Sequence, residues 1–330
     1  MLHYLARRAF YMLIMLWILT MVVFFIIQLP AGDYVTTLAA QLAQRGEEVN
    51  EELLHNLRRR YGLDQPLHAQ YLKWVRNALQ GDFGYSFQFS RPVVEIIGER
   101  LALTVAISIC TLTFTYVTAI PIGIYSATRQ YSVGDYFFMS VGFIGLATPN
   151  FLLALILMLA FFSLGISVGG LFSPEFNQAA WSVARVWDLL KHLPLPIIIV
   201  GTAGTAELIR VMRATLLDEL AKQYVITGRA KGVQETRLLF KYPVRVAINP
   251  LVSTIGWLLP TIVSGSTITA MVLGLPTTGP LLFRALQFQD MFLASSLLLF
   301  LNFLTLVGTF VSDVLLVVVD PRIRYSRASR

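Results

Sequence analysis

The chain has 330 residues, of which 56% are hydrophobic and only 14% charged. Soluble domains carry about 25% charge, so the composition excludes an ordinary soluble globule. The net charge of +7 does not make a nucleic-acid surface, because the excess is scattered in loops beside apolar runs rather than gathered in a basic stripe.

Six runs are long enough to cross a bilayer as helices. The first, Phe10 to Leu29, follows Arg7 and Arg8. It exceeds a signal-peptide core, and the residues after it, Pro30-Ala31-Gly32-Asp33-Tyr34, hold no small-x-small cleavage site. An uncleaved membrane helix is expected over 1–29. The segment 30–100 reads as helical, with a helix over Glu48–Arg60, a break at Tyr61-Gly62-Leu63-Asp64, and a second helix over Pro66–Leu79. Leu67, Tyr71, Trp74 and Ala78 fall on one stripe of that second helix. The stripe is expected to pack on the outer face of the membrane domain, with contact to a delivering protein as the alternative. Gly81-Asp82-Phe83-Gly84-Tyr85-Ser86 reads as a tight reversal and lacks the lysine and spacing of a phosphate loop.

The second run, Leu101 to Tyr125, carries Pro121 and the only cysteine, Cys110, which excludes an intrachain disulfide. The third, Phe137 to Leu164, contains Pro149 and Asn150. Ala180–Lys191 is expected to form a short helix with Trp181 and Trp187 suited to a membrane interface. His192-Leu193-Pro194 then ends it and starts the fourth run toward Leu217, which holds Gly201, Gly204, Thr205, Glu207 and Arg210. His55, His68 and His192 lack the spacing of metal ligands. The fifth run, about Ile248 to Leu273, contains Pro260, Ser264, Gly265, Ser266 and Thr267, which suits a helix broken midway. Ser264, Ser266 and Thr267 are candidates to line a solute path, the alternative being a kink packed inside the bundle. In the sixth run, Phe292 to Val319, Asn302 is a further path candidate. Asp313 admits either ion coupling or a structural hydrogen bond.

Charge distribution orients these runs. Arg7 and Arg8, the loop with Arg129 against Asp135, the stretch Arg210–Arg245 and the tail with Arg322, Arg324, Arg327 and Arg330 alternate correctly with six spans. The positive-inside tendency places all four in the cytoplasm. The expected fold is an all-α polytopic membrane protein of six helices with both termini cytoplasmic.

One polar segment stands apart, Glu219 to Tyr242. A helix is expected over Leu217–Lys231, stopped by Gly232, followed by a second over Val233–Phe240 limited by Pro243. Arg229, Lys231 and the turn expose positive charge, while Tyr224 and Val225 offer apolar area. That anatomy suits a knob for a partner's groove; a self-packed loop is the alternative. The chain carries no GxxxxGK[ST] motif, so any ATP would be bound by another chain.

Tyr224-Val225-Ile226-Thr227-Gly228-Arg229-Ala230-Lys231-Gly232-Val233 closely resembles the signature cytoplasmic loop of ABC-importer permeases of the dipeptide/oligopeptide/nickel class. Gly81–Ser86, His192–Pro194 and Asp320-Pro321-Arg322-Ile323-Arg324-Tyr325 match in order and spacing, so the resemblance spans the chain. It is to the member with a long outer loop after the first helix. The resemblance implies that residues 217–243 form coupling helices that dock on an ATPase, through Glu219, Tyr224, Thr227, Arg229, Ala230, Lys231, Gly232 and Val233. It implies a permease core over 101–320 and a basic tail over 321–330. It implies as partners a homologous second permease, two ATPase subunits, identical or distinct, and an extracytoplasmic substrate-binding protein, with membrane lipid around them. No cofactor or metal is expected on this chain, and ATP and magnesium belong to the partners. The implied location is a bacterial or archaeal plasma membrane. The implied cargo is a peptide or similar small polar solute, with oligosaccharide, glutathione-like compound or nickel complex as alternatives. Two stretches depart from the pattern: Gly228 stands where relatives more often have Ala, and Leu275-Pro276-Thr277-Thr278-Gly279 replaces a Trp-Pro-Gly-Leu-Gly pattern preceded by an acid where Ala270 stands. An ion- or proton-coupled secondary transporter is the competing reading, disfavoured by the large docking element and the lack of a deeply buried acid–base set.

Overall fold

The computed structural model describes residues 2–29, 34–44, 51–165, 169–177, 179–265 and 267–319. In chain order these form α1 (Leu2–Ile27), α2 (Tyr34–Gln44), α3 (Glu51–Tyr61), α4 (Leu67–Leu79), the short strands β1 (Tyr85–Ser86) and β2 (Arg91–Pro92), α5 (Val93–Thr128), α6 (Val133–Ala147) and α7 (Asn150–Ser163). Then follow α8 (Val183–His192), α9 (Pro194–Leu220), α10 (Gln223–Ala230), α11 (Glu235–Lys241), α12 (Pro243–Gly265), α13 (Thr267–Val272), α14 (Thr278–Gln287) and α15 (Met291–Val319). The fold is mostly helical. Among the described residues, four helical stretches are long and apolar enough to cross a membrane: Arg7–Ile27, Val93–Thr128, Pro194–Leu220 and Met291–Leu316. The number reaches six if two bent pairs each make one span.

The chain divides into two compact units. One unit comprises Leu2–Thr104 with Thr277–Leu304. Its first packing layer is α4 on α1, where Tyr71 and Trp74 are buried against Phe24 at ring-centroid distances of 5.4 and 6.1 Å. The hydroxyls of Thr20 and Tyr71 add a hydrogen bond of 2.9 Å. The expected stripe therefore holds at Tyr71 and Trp74, whereas Leu67 stays 42% exposed in the first helical turn. Pro66 precedes α4 as its cap rather than starting it. The reversal at 81–86 is real: Gly81 and Gly84 have φ of +82° and +83°, a region that glycine enters freely. It feeds an antiparallel pair, Tyr85 opposite Pro92 and Ser86 opposite Arg91.

Asp290 locks this turn. Its Oδ2 accepts from Ser86 Oγ at 2.5 Å and from the Gln88 amide at 3.1 Å, while Oδ1 caps α15 through the Leu293 amide at 3.2 Å. Burial pushes its carboxyl above the usual range, against the opposing pull of the Ser86 hydrogen bond. Val93, Ile97, Leu281, Ala285, Leu293 and Leu297 form the apolar core of the unit.

The second unit comprises Val105–Pro276 with the chain from Thr305. Its core centres on α9, with Met212 and Leu216 fully buried among Ala119, Val244, Ala247 and Leu251. Small residues set the spacing. A side chain added at Gly123 would meet Met212 Cβ at 2.6 Å, and one at Gly145 would meet Thr202 at 2.5 Å. Helices approach closely where such residues face them. Polar stitches join α12 to its neighbours: Tyr116 donates to the Leu251 carbonyl at 2.6 Å and Ser312 to the Val252 carbonyl at 3.0 Å.

The third apolar run, expected as one span from Phe137 to Leu164, is instead two helices bent by 105°. Pro149 lacks an amide hydrogen and disfavours helical geometry in the residue before it. Thr148 accordingly sits at φ −91°, ψ 119°. In the fifth run, the helical stretches ending at Gly256 and starting at Thr261 lie 49° apart. Between α7 and α9, Ser182 caps α8 through the Arg185 amide at 3.2 Å, and the Arg185 guanidinium lies over the rings of Phe172 and Trp181, which themselves meet edge to face. His192 Nδ1 lies 2.8 Å from the Asp188 carbonyl, one helical turn back, which makes it a helix-end residue.

Candidate docking element

α9 ends at Leu220, and the chain re-enters helix at Gln223. The single helix expected over Leu217–Lys231 is thus broken at Ala221 and Lys222. Neither residue is a helix breaker, so local propensity does not account for the turn. Packing does: after the turn Val225 is at zero exposure, and one helical turn on Gly228 faces Leu238 of α11, which is 1% exposed. Tyr224 spans the break, its hydroxyl donating to Glu219 Oε2 at 2.5 Å. Burial and that carboxylate together push the Tyr224 phenol up.

α10 stops where expected. Gly232 has φ of +74°, its amide bonds to the Arg229 carbonyl at 2.9 Å, and the Val233 amide bonds to Gly228 at 3.2 Å. These two bonds make a Schellman cap, which satisfies carbonyls left over at the helix end. Gln234 then caps α11, so Val233 lies in the turn and not in the second helix.

Arg229 does not offer a free charge. Its guanidinium forks onto Glu235, with Nε 3.0 Å from Oε2 and Nη2 2.5 Å from Oε1. That pairing pins α10 to α11 and holds the guanidinium pKa above its ordinary value. Lys231 remains exposed as the helix cap. Thr227 and Ala230 are exposed, and Thr227 Oγ1 donates to the Gln223 carbonyl at 2.9 Å. Gly228 has a packing reason: a Cβ there would sit 2.5 Å from Leu238 Cδ1. Ile226, Phe240 and Tyr242 present apolar surface, each more than 40% exposed. The element is therefore a rigid two-helix knob with a buried seam at Val225 and Leu238, a self-neutralised ion pair and an apolar rim. Val225, expected to offer contact area, forms the seam instead.

Residues 119–325 match the family of binding-protein-dependent transport system inner membrane components, and residues 1–108 match the N-terminal part of such membrane components. The chain belongs to this family. It is an inner-membrane permease subunit of an ABC importer. It is 33% identical over 327 residues to the oligopeptide transport system permease protein AppB of Bacillus subtilis, covering 98% of this chain and 99% of the relative. It is 30% identical over 325 residues to the glutathione transport system permease protein GsiC of Escherichia coli K12, covering 98% of this chain and all of the relative. A putative peptide permease of Brucella ovis is 32% identical over 329 residues, covering 98% of this chain and 99% of the relative.

The other expected site residues of the permease are dispersed. Thr267 opens α13, half-buried. Asn302 is half-buried in α15 and belongs to the other compact unit. Ser266 and the Asp320–Tyr325 motif lie outside the described residues, as does the side chain of Ser264. One feature escaped the sequence. Asp135, set against Arg129 by proximity in the chain, pairs with Arg213 at 2.8 Å, while Arg129 lies over the Tyr125 ring at 5.3 Å. The Ser132-x-x-Asp135 cap spacing was the available signal for a fixed carboxylate.

Proposed function

We propose that this permease forms half of a translocation path for peptides or a similar small polar solute and is driven through α10 and α11 by a separate ATPase. The observation that carries the reading is the pinned two-helix knob, capped at Gly232 and attached to the core helix α9 across one short break. The names of AppB and GsiC support a peptide or glutathione-like cargo. In this reading six spans cross the membrane with both termini cytoplasmic, supported by the alternation of basic loops. The organisation is a first helix over 1–29, an extracytoplasmic helical segment over 30–100, a core over 101–320 and a tail over 321–330. Its partners are a homologous second permease, two ATPase subunits that hold ATP and magnesium, and an extracytoplasmic binding protein. Glu219, Tyr224, Thr227, Arg229, Ala230, Lys231, Gly232 and Val233 form or shape the docking surface. Ser264, Ser266, Thr267 and Asn302 serve the solute path.

Charge reversal tests the docking. Arg229→Glu alone would also repel Glu235, so the informative variant is Arg229→Glu with Glu235→Arg and Lys231→Glu, which keeps the internal pair. Reduced co-purification with the ATPase, or ATP hydrolysis without uptake in vesicles, is expected. Normal assembly with normal coupled uptake would remove the docking assignment.

A further inference from the structure

A partly buried ion pair lies between α6 and α9, apart from the docking element: its carboxylate is buried and its guanidinium 20% exposed. Asp135 is 2% exposed in the first turn of α6. Its Oδ1 accepts from Arg213 Nε at 2.9 Å, and Oδ2 accepts from Arg213 Nη2 at 2.8 Å and from the Tyr131 amide at 2.9 Å. The Tyr131 amide thus holds the carboxylate from its own side, and Ser132 Oγ caps α6 by accepting from the Asp135 amide at 3.2 Å. Arg213 stands seven residues before the end of α9 at Leu220, about 10 Å along the axis. Its neighbours Met212 and Leu216 are fully buried in the core that α9 shares with α12. Elsewhere along the α6–α9 seam Gly142 faces Ala206 and Gly145 faces Thr202, with Phe138, Met139, Leu146 and Ile209 alongside and, among the described residues, no second ion pair between the two helices.

These contacts differ in what they transmit. Glycine against alanine lets two helices slide, whereas a forked guanidinium on a fixed carboxylate resists both sliding and rotation. A buried or partly buried ion pair adds little net stability over well-packed apolar residues, so stability alone gives no reason to place one here. We propose that Asp135 and Arg213 are positioning residues, forming the joint through which movement of the α9–α10 lever reaches α6 and the bent α6–α7 pair. The proposal rests on the docking of α10 and α11 to an ATPase.

The test uses the full transporter in proteoliposomes with its ATPase and loaded binding protein, reading assembly, ATP hydrolysis and uptake per ATP. The variant is Asp135→Leu with Arg213→Met, which removes the charges without leaving one unpaired. Assembly and hydrolysis should persist while uptake per ATP falls about fivefold or more. Arg213→Lys, which keeps charge but loses the fork, should lie between that pair and the unchanged protein. An unchanged ratio in the apolar pair overturns the joint, and loss of assembly in it overturns the joint in favour of a folding role. A docking variant, Phe240→Ala with Lys231→Glu, is run in parallel. If it too assembles and couples normally, the docking reading itself fails; if it alone uncouples, only the joint fails.

Discussion

Gly232 shows how a single residue sets the shape of the knob. At φ +74°, a side chain meets steric resistance of about 1–2 kcal/mol. Gly232→Val should weaken ATPase co-purification, and Gly232→Asn should do so less, because asparagine tolerates this region. Equal effects would show that the cap conformation is not what matters. Asp290 makes a different prediction, in the other unit. Its carboxyl is raised above its unfolded value, so the folded form keeps a proton that the unfolded chain has released. Stability therefore falls as pH rises from the ordinary aspartate range through the raised one. Asp290→Asn should flatten that dependence in thermal melts of the purified permease. It should also lower stability at low pH, since an amide has one oxygen and its NH2 cannot accept in place of the other, whereas Ser86, Gln88 and Leu293 donate to both carboxyl oxygens.

The docking element separates seam from rim. Leu238 is 1% exposed and Phe240 is 57% exposed, two residues apart on α11. Leu238→Ala removes buried packing worth about 2–5 kcal/mol in a well-formed core. It should open the α10–α11 turn to limited proteolysis and weaken ATPase binding as a consequence. Phe240→Ala should weaken binding with the protease pattern unchanged. If both variants bind normally, the apolar rim is not a contact surface. The stop at Gly232 was legible in the sequence because glycine fits the left-handed cap it adopts. The break at Ala221 and Lys222 was not, because packing of Val225 decides it and no local signal marks it. Pro149 is visible in the sequence, but the 105° bend beside it is far sharper than the kink a proline makes in a continuous helix. Arg229 is exposed as expected, but its pairing was not legible for a related reason: Glu235 is six residues away in sequence, across a turn whose geometry had to be known first.

At the scale of the molecule, the apolar runs that become the four long helices were readable because hydropathy is a local quantity. The division into two compact units was not, since each unit joins segments remote in sequence, Leu2–Thr104 with Thr277–Leu304 and Val105–Pro276 with the chain from Thr305. Pairings such as Ser86 with Asp290 or Asp135 with Arg213 follow from that assembly and carry no short-range signature. In the proposed function the energy source lies on other chains, so the central claim is that α10 and α11 meet the ATPase. The direct measurement is site-specific cross-linking in the assembled transporter, with Cys110→Ala as background and single cysteines at Thr227, Phe240 or Leu72. Cysteines at positions 227 and 240 should cross-link to the ATPase with a yield that changes on ATP binding, and the one at 72 should not. Absence of ATPase adducts at both 227 and 240 in a transporter that still hydrolyses ATP and imports its solute would contradict the account.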